Sequence, residues 1–133
     1  MTIGAPASVD QVPTLFSAAV KHHQAGRETE AIALYQRILA LAPDLPEVHG
    51  NLAVALAGLG RQDEAEPSLR RAILLKPGAV ELYVNLGTVL LNLGRSHEAI
   101  AVCRQAIALK PECAEAYNNL GTALSNLGMA EEA

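Results

Sequence analysis

The sequence repeats itself with a period of 34 residues. The segment VNLGTVLLNLGRSHEA, from Val84 to Ala99, returns as NNLGTALSNLGMAEEA from Asn118 to Ala133, with ten of the sixteen positions identical. A fixed period of this size is typical of stacked repeat arrays, in which each repeat packs on its neighbours. The residues that keep the period along the chain are Gly26, Gly60, Gly94 and Gly128; Ala31, Ala65, Ala99 and Ala133; and Pro43, Pro77 and Pro111.

Each period contains two apolar segments with helical spacing. In the third period the apolar positions include Leu86 and Leu90 before Gly94, and Ile100 and Ile107 after it. A glycine between the segments suits the left-handed residue that closes a helix, and a proline after the second segment cannot extend one. Each period therefore predicts a helical hairpin. The predicted helices lie near residues 12–25, 29–42, 46–59, 63–76, 80–93, 97–110 and 114–127.

Charged residues at the two ends of the second helix of each hairpin support this assignment. Glu64 and Glu98 fall at its start, while Lys76 and Lys110 fall at its end, which complements the helix dipole. Pro67 is the one local conflict, because a proline about one turn into a helix lacks a donor and clashes with the preceding turn. We expect a bend or a delayed start there.

Composition and charge exclude several classes of function. The chain of 133 residues is 50% apolar and 3% aromatic, which suffices for a core and favours close-packed helices. The formal net charge is −4 and the basic residues are scattered, so no nucleic-acid surface is expected. The longest apolar run, Leu52 to Gly60, is about half the ~20 residues that a membrane-spanning helix needs, and no secretory signal precedes it. We expect a cytoplasmic protein with no membrane insertion.

No set of side chains predicts a catalytic or metal site. His22 and His23 are adjacent, and adjacent helical residues point in different directions, so a packed His22 and a solvent-facing His23 are favoured over metal ligands. Cys103 and Cys113 have the spacing of neither a redox pair nor a zinc site. No nucleophile and base, and no phosphate-binding glycine loop, can be assembled. We expect no cofactor and no enzymatic activity within this chain.

The repeat resembles the tetratricopeptide repeat, which also has a 34-residue period. The second period departs from the family pattern at His49 and Ala53, and the first period departs more at its start. The residues of the third period that carry the resemblance are Tyr83, Leu86, Gly87, Ala99, Ala106 and Pro111.

The resemblance implies an all-α fold, a right-handed α-solenoid of antiparallel helical hairpins with about 3.5 repeats. Small residues would lie where two helices approach closely, so that only a hydrogen or a methyl group fits. Those residues are Gly87, Gly121, Ala53, Ala65 and Ala99. The expected parts of the chain are a flexible N-terminal arm, 1–11, and an array over 12–133 with repeats 12–45, 46–79, 80–113 and an incomplete 114–133.

In the resembled family, the first helix of each hairpin lines a concave groove where partners bind. Asn51, Asn85 and Asn119 recur at one position of that helix, although asparagine is a weak helix former. A primary amide complements a backbone N–H and C=O, so a row of three would hold an extended peptide. The alternative is that each amide braces a neighbouring helix. The candidate peptide-binding residues are Asn51, Asn85, Asn119, Thr88, Asn92, Thr122 and Asn126.

The expected groove is neutral to acidic. Some members of the family grip the terminal carboxylate of chaperone tails with lysine, asparagine and arginine side chains. This chain matches that set only at Asn51, and the other places hold Phe16, Val20, Glu81 and Asn85. A tail that ends in two acidic residues should be repelled by like charge. The carboxylates that it would meet are Glu47, Glu81 and Glu115.

The function that these features favour is a non-catalytic protein–protein interaction module that binds an extended peptide in the groove. The repeat with the segment NNLG also resembles the arrays that precede the catalytic domain of O-GlcNAc-transferase-like glycosyltransferases. The alternative is therefore the substrate-recruiting N-terminal part of a larger enzyme, such as a bacterial glycosyltransferase, with catalysis outside this chain.

The last repeat stops three residues into a predicted eighth helix. A solenoid end without its next helix exposes apolar surface, so we expect Leu120, Leu124 and Leu127 to lack cover. This favours a fragment of a longer protein. Two chains are expected to pair through this C-terminal helix, because pairing buries the exposed face.

Overall fold

The computed structural model describes residues 8–132, with side chains from residue 8 to residue 128. A 3-10 turn, Val9–Gln11, leads into the first of seven described helices. None of these helices has the length and apolarity needed to span a bilayer. The all-α prediction is confirmed, and residues 1–7 of the predicted arm lie outside the described residues. The helices are α1 (Val12–Gln24), α2 (Glu28–Leu41), α3 (Pro46–Gly58), α4 (Gln62–Leu75), α5 (Val80–Asn92), α6 (Ser96–Leu109) and α7 (Ala114–Glu132).

The helices pack as consecutive hairpins. Helix α1 packs on α2, α3 on α4 and α5 on α6, and each hairpin packs on the next through α2 with α3, α4 with α5 and α6 with α7. The first helices of neighbouring hairpins also contact each other, α3 with α5 and α5 with α7. This is the stacked arrangement that the 34-residue period predicts, with three complete hairpins followed by α7.

A glycine ends the first helix of each complete hairpin. Gly26, Gly60 and Gly94 have φ angles of 78°, 80° and 76°, in the left-handed region where a side chain is strained. The residue after the glycine bonds back into the helix, as Arg61 N does to Leu56 O at 2.9 Å, which satisfies a terminal carbonyl. The second helix begins two residues after each of these glycines.

Small residues lie where the helices of a hairpin meet. Ala53, Ala65 and Ala99 are fully buried, as predicted. At Gly87 an added Cβ would come within 3.3 Å of Cys103 Sγ, so a larger residue would push the helices apart. The largest fully buried side chains are Tyr35, Ile38, Leu69, Leu86, Leu90 and Cys103.

The predicted end of the seventh helix, and with it the predicted eighth helix, is wrong. Helix α7 continues through Gly128 to Glu132 instead of turning at Gly128. Extending α7 adds a backbone hydrogen bond for each residue without a new nucleus.

The outer side of α7 is open within the described part of the chain. A Cβ at Gly121 would meet no atom within 4 Å, so the prediction that Gly121 lies at a close helix contact is wrong. Its counterpart Gly87 differs because α6 packs against α5 there. Leu124 is exposed as predicted. Leu120 and Leu127 are partly buried and pack against the core, so they do not lack cover.

Pro67 lies inside α4 without delaying its start. Helix α4 begins at Gln62, which is one 34-residue period after the start of α2 at Glu28 and one period before the start of α6 at Ser96. The predicted delay is therefore wrong. Pro67 and Asp63 are both exposed, so water can solvate the carbonyl that loses its helical donor.

Ion pairs connect the second helices of neighbouring hairpins, and the sequence analysis did not predict them. Arg95, which precedes α6, bonds to Glu98 in that helix with an Nη2–Oε2 distance of 2.6 Å and to Glu66 in α4. Arg70 of α4 bonds to Glu66 at 2.9 Å and reaches Glu98 at 3.4 Å. The sequence shows periodic arginines and glutamates but not which carboxylate faces the next hairpin.

Candidate functional site

The first helices of the hairpins form one surface of the molecule, which we call the groove face. It consists of the exposed sides of α1, α3, α5 and α7. An open depression of about 290 Å³ lies on it between α1, α3 and α5. The residues around this depression are Phe16, Pro46, Glu47, Gly50, Asn51, Val54, Lys76, Ala79, Glu81, Leu82 and Asn85.

Asn85 lies at the centre of the groove face. Its half-buried side chain lines the depression and also a second, smaller one of about 180 Å³ that continues towards Thr88. Within the described residues its amide makes no side-chain hydrogen bond, although the corresponding amide of Asn119 makes two. Asn119 donates to Thr88 of the facing helix, whereas the same position one period earlier is Val54, which has no hydroxyl and lines both depressions with Asn85. Asn85 therefore keeps its donors and its acceptor for other groups.

Asn119 links α7 to α5. Its Nδ2 donates to Thr88 Oγ1 at 3.1 Å and to Val84 O at 3.3 Å, across the interface between neighbouring hairpins. The Nδ2 group is therefore engaged, and the carbonyl oxygen remains as an acceptor. The contact corresponds to the bracing role that the sequence left open as the alternative.

Asn51 lies beside the hydroxyl of Tyr35. Burial raises the pKa of Tyr35, and a hydrogen bond from Asn51 partly offsets this increase. His23 Nδ1 is 3.4 Å from the same hydroxyl, and the ring of Phe16 packs at 6.3 Å from the ring of Tyr35. Asn51 thus lies near the Tyr35 hydroxyl of the first hairpin, and its side chain also lines the depression.

The other predicted site residues are more dispersed. Thr88 and Thr122 turn their hydroxyls onto their own helix, donating to Val84 O at 3.1 Å and to Asn118 O at 3.0 Å. Asn92 is exposed at the last position of α5. Asn126 lines a separate depression beside the turn at Gly94. The structure brings Asn51 and Asn85 together and leaves Asn92 and Asn126 apart from them.

Two carboxylates line the depression. Glu47 and Glu81 are exposed in the first turns of α3 and α5, where the helix dipole favours a negative charge. Neither forms an ion pair within residues 8–128. Lys76, from the end of α4, is the one cation among the described residues that line the depression. Lys76 reaches the depression because the proline turn returns the chain from α4 to α5. The sequence predicted only that its charge complements the helix dipole.

The position of His49 shows how the chain departs from its own pattern without losing a contact. His49 Nε2 lies 2.7 Å from Pro43 O, and one period later the hydroxyl of Tyr83 donates to Pro77 O at 2.7 Å. His49 therefore makes the same contact with the preceding turn as Tyr83, the tyrosine at its position in the next repeat.

Within the described residues, no three potential ligands are grouped in a way that could hold a metal ion. Cys103 and Cys113 are both buried and free. Burial raises the pKa of the Cys103 thiol, and the nearby Cys113 adds to this effect. A buried thiol with a raised pKa is a poor nucleophile.

The family model described as tetratricopeptide repeat matches the sequence over residues 24–80, 51–112 and 84–133. These overlapping matches cover most of the chain. The chain belongs to the tetratricopeptide-repeat family. A comparison with curated proteins gives no match.

Solved tetratricopeptide-repeat structures superpose closely on this chain. The first such domain of Spaghetti (RPAP3), bound to the HSP90 peptide SRMEEVD, is 24% identical, with a TM-score of 0.86 and coverage of 94% of this chain and 99% of that one. The MamA protein is 26% identical, with a TM-score of 0.85 and coverage of 91% of this chain and 66% of that one. At 24% identity, the likeness to RPAP3 establishes the fold alone.

An O-GlcNAc transferase from Thermobaculum terrenum is also similar. It is 29% identical over 93% of this chain, with a TM-score of 0.78. The match spans 23% of the transferase chain, so this repeat array corresponds in length to about a quarter of that enzyme.

Proposed function

We propose that this tetratricopeptide-repeat chain is a non-catalytic interaction module that binds an extended segment of another protein along the groove face. The observation that carries the proposal is Asn85. It lies in the depression on that face, and its amide has no hydrogen bond within the described residues. The same helix position in the hairpins on either side holds Asn51 and Asn119.

The three amides would act differently on a bound chain. Asn85 has two donors and an acceptor, so it can pair with both the C=O and the N–H of one residue of an extended chain, which point to the same side. Asn119 offers its carbonyl oxygen, because its Nδ2 group already donates to α5. Asn51 lies beside the Tyr35 hydroxyl and also lines the depression. Contacts of this kind address the backbone of the partner and therefore favour broad sequence specificity.

The charge on the groove face selects against acidic partners. A peptide lying in the depression would pass Glu47 and Glu81, and Lys76 balances only one of these two carboxylates. Phe16 offers an apolar contact at one end of the depression. We therefore propose that neutral or basic extended segments bind and that acidic chain ends do not.

The test starts from a peptide selected on the wild-type protein from a randomised peptide library. Asn85→Ala should weaken binding of that peptide with little change in melting temperature, because the amide is not part of the described hydrogen-bonded structure. Loss of one hydrogen bond at about 0.5–1.5 kcal/mol corresponds to roughly a 2- to 13-fold increase in Kd.

The matched control is Gln36→Ala, which removes an exposed side-chain amide from α2, outside the groove face. It should leave Kd unchanged. Unchanged affinity in Asn85→Ala together with a large fall in its melting temperature would assign the amide to structure and reject the proposal. Failure to select any peptide that competes at the groove face would reject it as well.

A second candidate function rests on the match to the Thermobaculum terrenum transferase. The array would then recruit protein substrates to a glycosyltransferase domain outside this chain. The coding sequence after Ala133 in the natural gene decides between the two. Several hundred codons with a glycosyltransferase domain would support the second candidate, and further repeats alone would reject it.

A further inference from the structure

The groove face has two neighbouring pockets that are the same site in successive repeats. The first pocket, of about 310 Å³, is lined by Val12, Pro13 and Phe16 of α1 and by residues 45–48. The second pocket is the depression that contains Asn85. A shift of 34 residues carries the lining of the first pocket onto six residues that line the second, which are Pro46, Glu47, Gly50, Ala79, Glu81 and Leu82.

The two pockets are continuous and about three residues of an extended chain apart. Phe16, Pro46 and Glu47 line both of them. Packed helices lie roughly 8–10 Å apart, and an extended chain advances about 3.3 Å per residue. A peptide that crosses the first helices therefore passes from one pocket to the next in about three residues.

The first pocket is the more apolar of the two. It has Phe16 where the second has Gly50, and Leu45 where the second has Ala79. An aromatic residue would not fit at position 50, because a Cβ there would come within 3.0 Å of Leu82 Cδ2. The walls of the first pocket therefore suit a large aliphatic side chain.

The second pocket is the more acidic of the two. Where the first pocket has the exposed Pro13 and Glu47, the second has Glu47 and Glu81. Lys76 is the one cation among the described residues around the second pocket, which leaves one carboxylate in excess there. A basic side chain complements this charge.

We propose that the bound segment carries a large aliphatic side chain in the first pocket and a lysine or arginine about three residues away in the second. This inference rests on the proposed function, because it requires a segment extended along the groove face. Burial of the aliphatic side chain supplies affinity, and attraction to Glu47 and Glu81 sets the register.

The probes are capped octapeptides of serine with leucine at the third position and lysine at the sixth, or the reverse order. They are titrated into the ¹⁵N-labelled 133-residue chain and followed by NMR, which detects weak binding. The better-binding order should lose about tenfold in affinity when its leucine becomes alanine, and as much when its lysine becomes glutamate.

Pro13→Glu tests the first pocket directly. It introduces the residue that stands at this position in α3 and α5, and Pro13 is exposed in the first turn of α1, so the fold should persist. The preference for leucine over alanine should fall below about threefold in this variant. Thr14→Glu is the matched control, because it adds the same charge at an exposed neighbour that lines neither pocket, and it should keep the full preference.

An unchanged preference for leucine in Pro13→Glu would overturn the inference. Binding that depends on Asn85 but not on the leucine or the lysine would also overturn it, and would leave the proposed function standing. No binding by these peptides or by any library peptide would reject both. Tighter binding by Ile3→Asp than by wild type would mean that residues 1–7 of this chain compete for the first pocket, which would overturn its assignment to a partner.

Discussion

At the level of single residues, Ala99 shows how tightly the packing limits side-chain size. It is fully buried in α6, whereas Ala101 of the same helix is exposed. Ala99→Leu should overpack the hairpin and lower the free energy of unfolding by about 1–3 kcal/mol, as measured by urea denaturation. Ala101→Leu is the matched control and should change it little. Equal effects of the two substitutions would contradict this account of the packing.

Glu66 is a residue whose contribution should depend on pH. Burial raises the pKa of its carboxyl, but hydrogen bonds from Arg95 and Arg70 lower it by more, so the net pKa lies below the ordinary value. A carboxyl with a depressed folded pKa stabilises the protein above its unfolded pKa and loses this effect as the pH falls through the folded pKa. Glu66→Gln should therefore lower the melting temperature at neutral pH.

The difference between wild-type protein and Glu66→Gln should shrink below about pH 4, where the wild-type carboxyl becomes protonated. Melting curves at several pH values test this. Glu30→Gln is the control, because Glu30 has no ion pair within residues 8–128. A difference for Glu66→Gln that stays constant from pH 7 to acidic pH would show that the ion pairs do not stabilise the fold.

At the level of the helices, two glycines of the same period have opposite roles. Gly94 closes α5 with a φ of 76°, whereas Gly128 lies within the continuous helix α7. Gly128→Ala should stabilise the monomer by about 0.5–1 kcal/mol, because alanine is the better helix former. Gly94→Ala should destabilise it by about 1–2 kcal/mol, because a Cβ is strained at positive φ.

Thermal melting in dilute solution compares the two variants. A loss of stability in Gly128→Ala would mean that Gly128 forms a turn in solution, and it would contradict the continuous α7. An unchanged melting temperature in Gly94→Ala would contradict the left-handed turn.

The period in the sequence was sufficient to predict the internal helices. The same glycine and proline recur in each repeat, and the structure places the helix ends within one or two residues of the predicted positions. The period did not predict the conformation at Gly128. A turn there requires a second helix to pack against α7, and the local sequence pattern contains no information about such a helix. The predicted delay at Pro67 was wrong for a related reason. The free-energy cost of a proline inside a helix depends on whether the carbonyl that loses its hydrogen-bond donor reaches water.

At the level of the whole molecule, the carboxylates on the groove face predict which peptides this chain should not bind. The peptide SRMEEVD, to which the RPAP3 domain is bound, ends in acidic residues. Titration calorimetry should detect no micromolar binding of this peptide here, because Glu47 and Glu81 line the depression. A double variant with Glu47→Lys and Glu81→Lys should bind it more tightly than wild type. Micromolar binding by the wild-type protein would contradict the electrostatic argument.

The candidate site was predictable as a surface but not in detail. The period placed Asn51, Asn85 and Asn119 at one helix position, and the structure confirms that they lie on consecutive first helices. The sequence could not show that their partners differ. Asn119 donates to the hydroxyl of Thr88 on the facing helix, and the position of Thr88 one period earlier is Val54, which has no hydroxyl.

The most direct test of the central claim is a double-mutant cycle between Asn85 and the backbone of a bound peptide. A peptide selected on the wild-type protein is N-methylated at one position at a time, and each version is titrated into wild-type protein and Asn85→Ala. We expect one position at which methylation weakens binding to the wild type but not to the variant, with a coupling of about 0.5–1.5 kcal/mol. Additive effects of methylation and Asn85→Ala at every position would contradict backbone recognition by this amide.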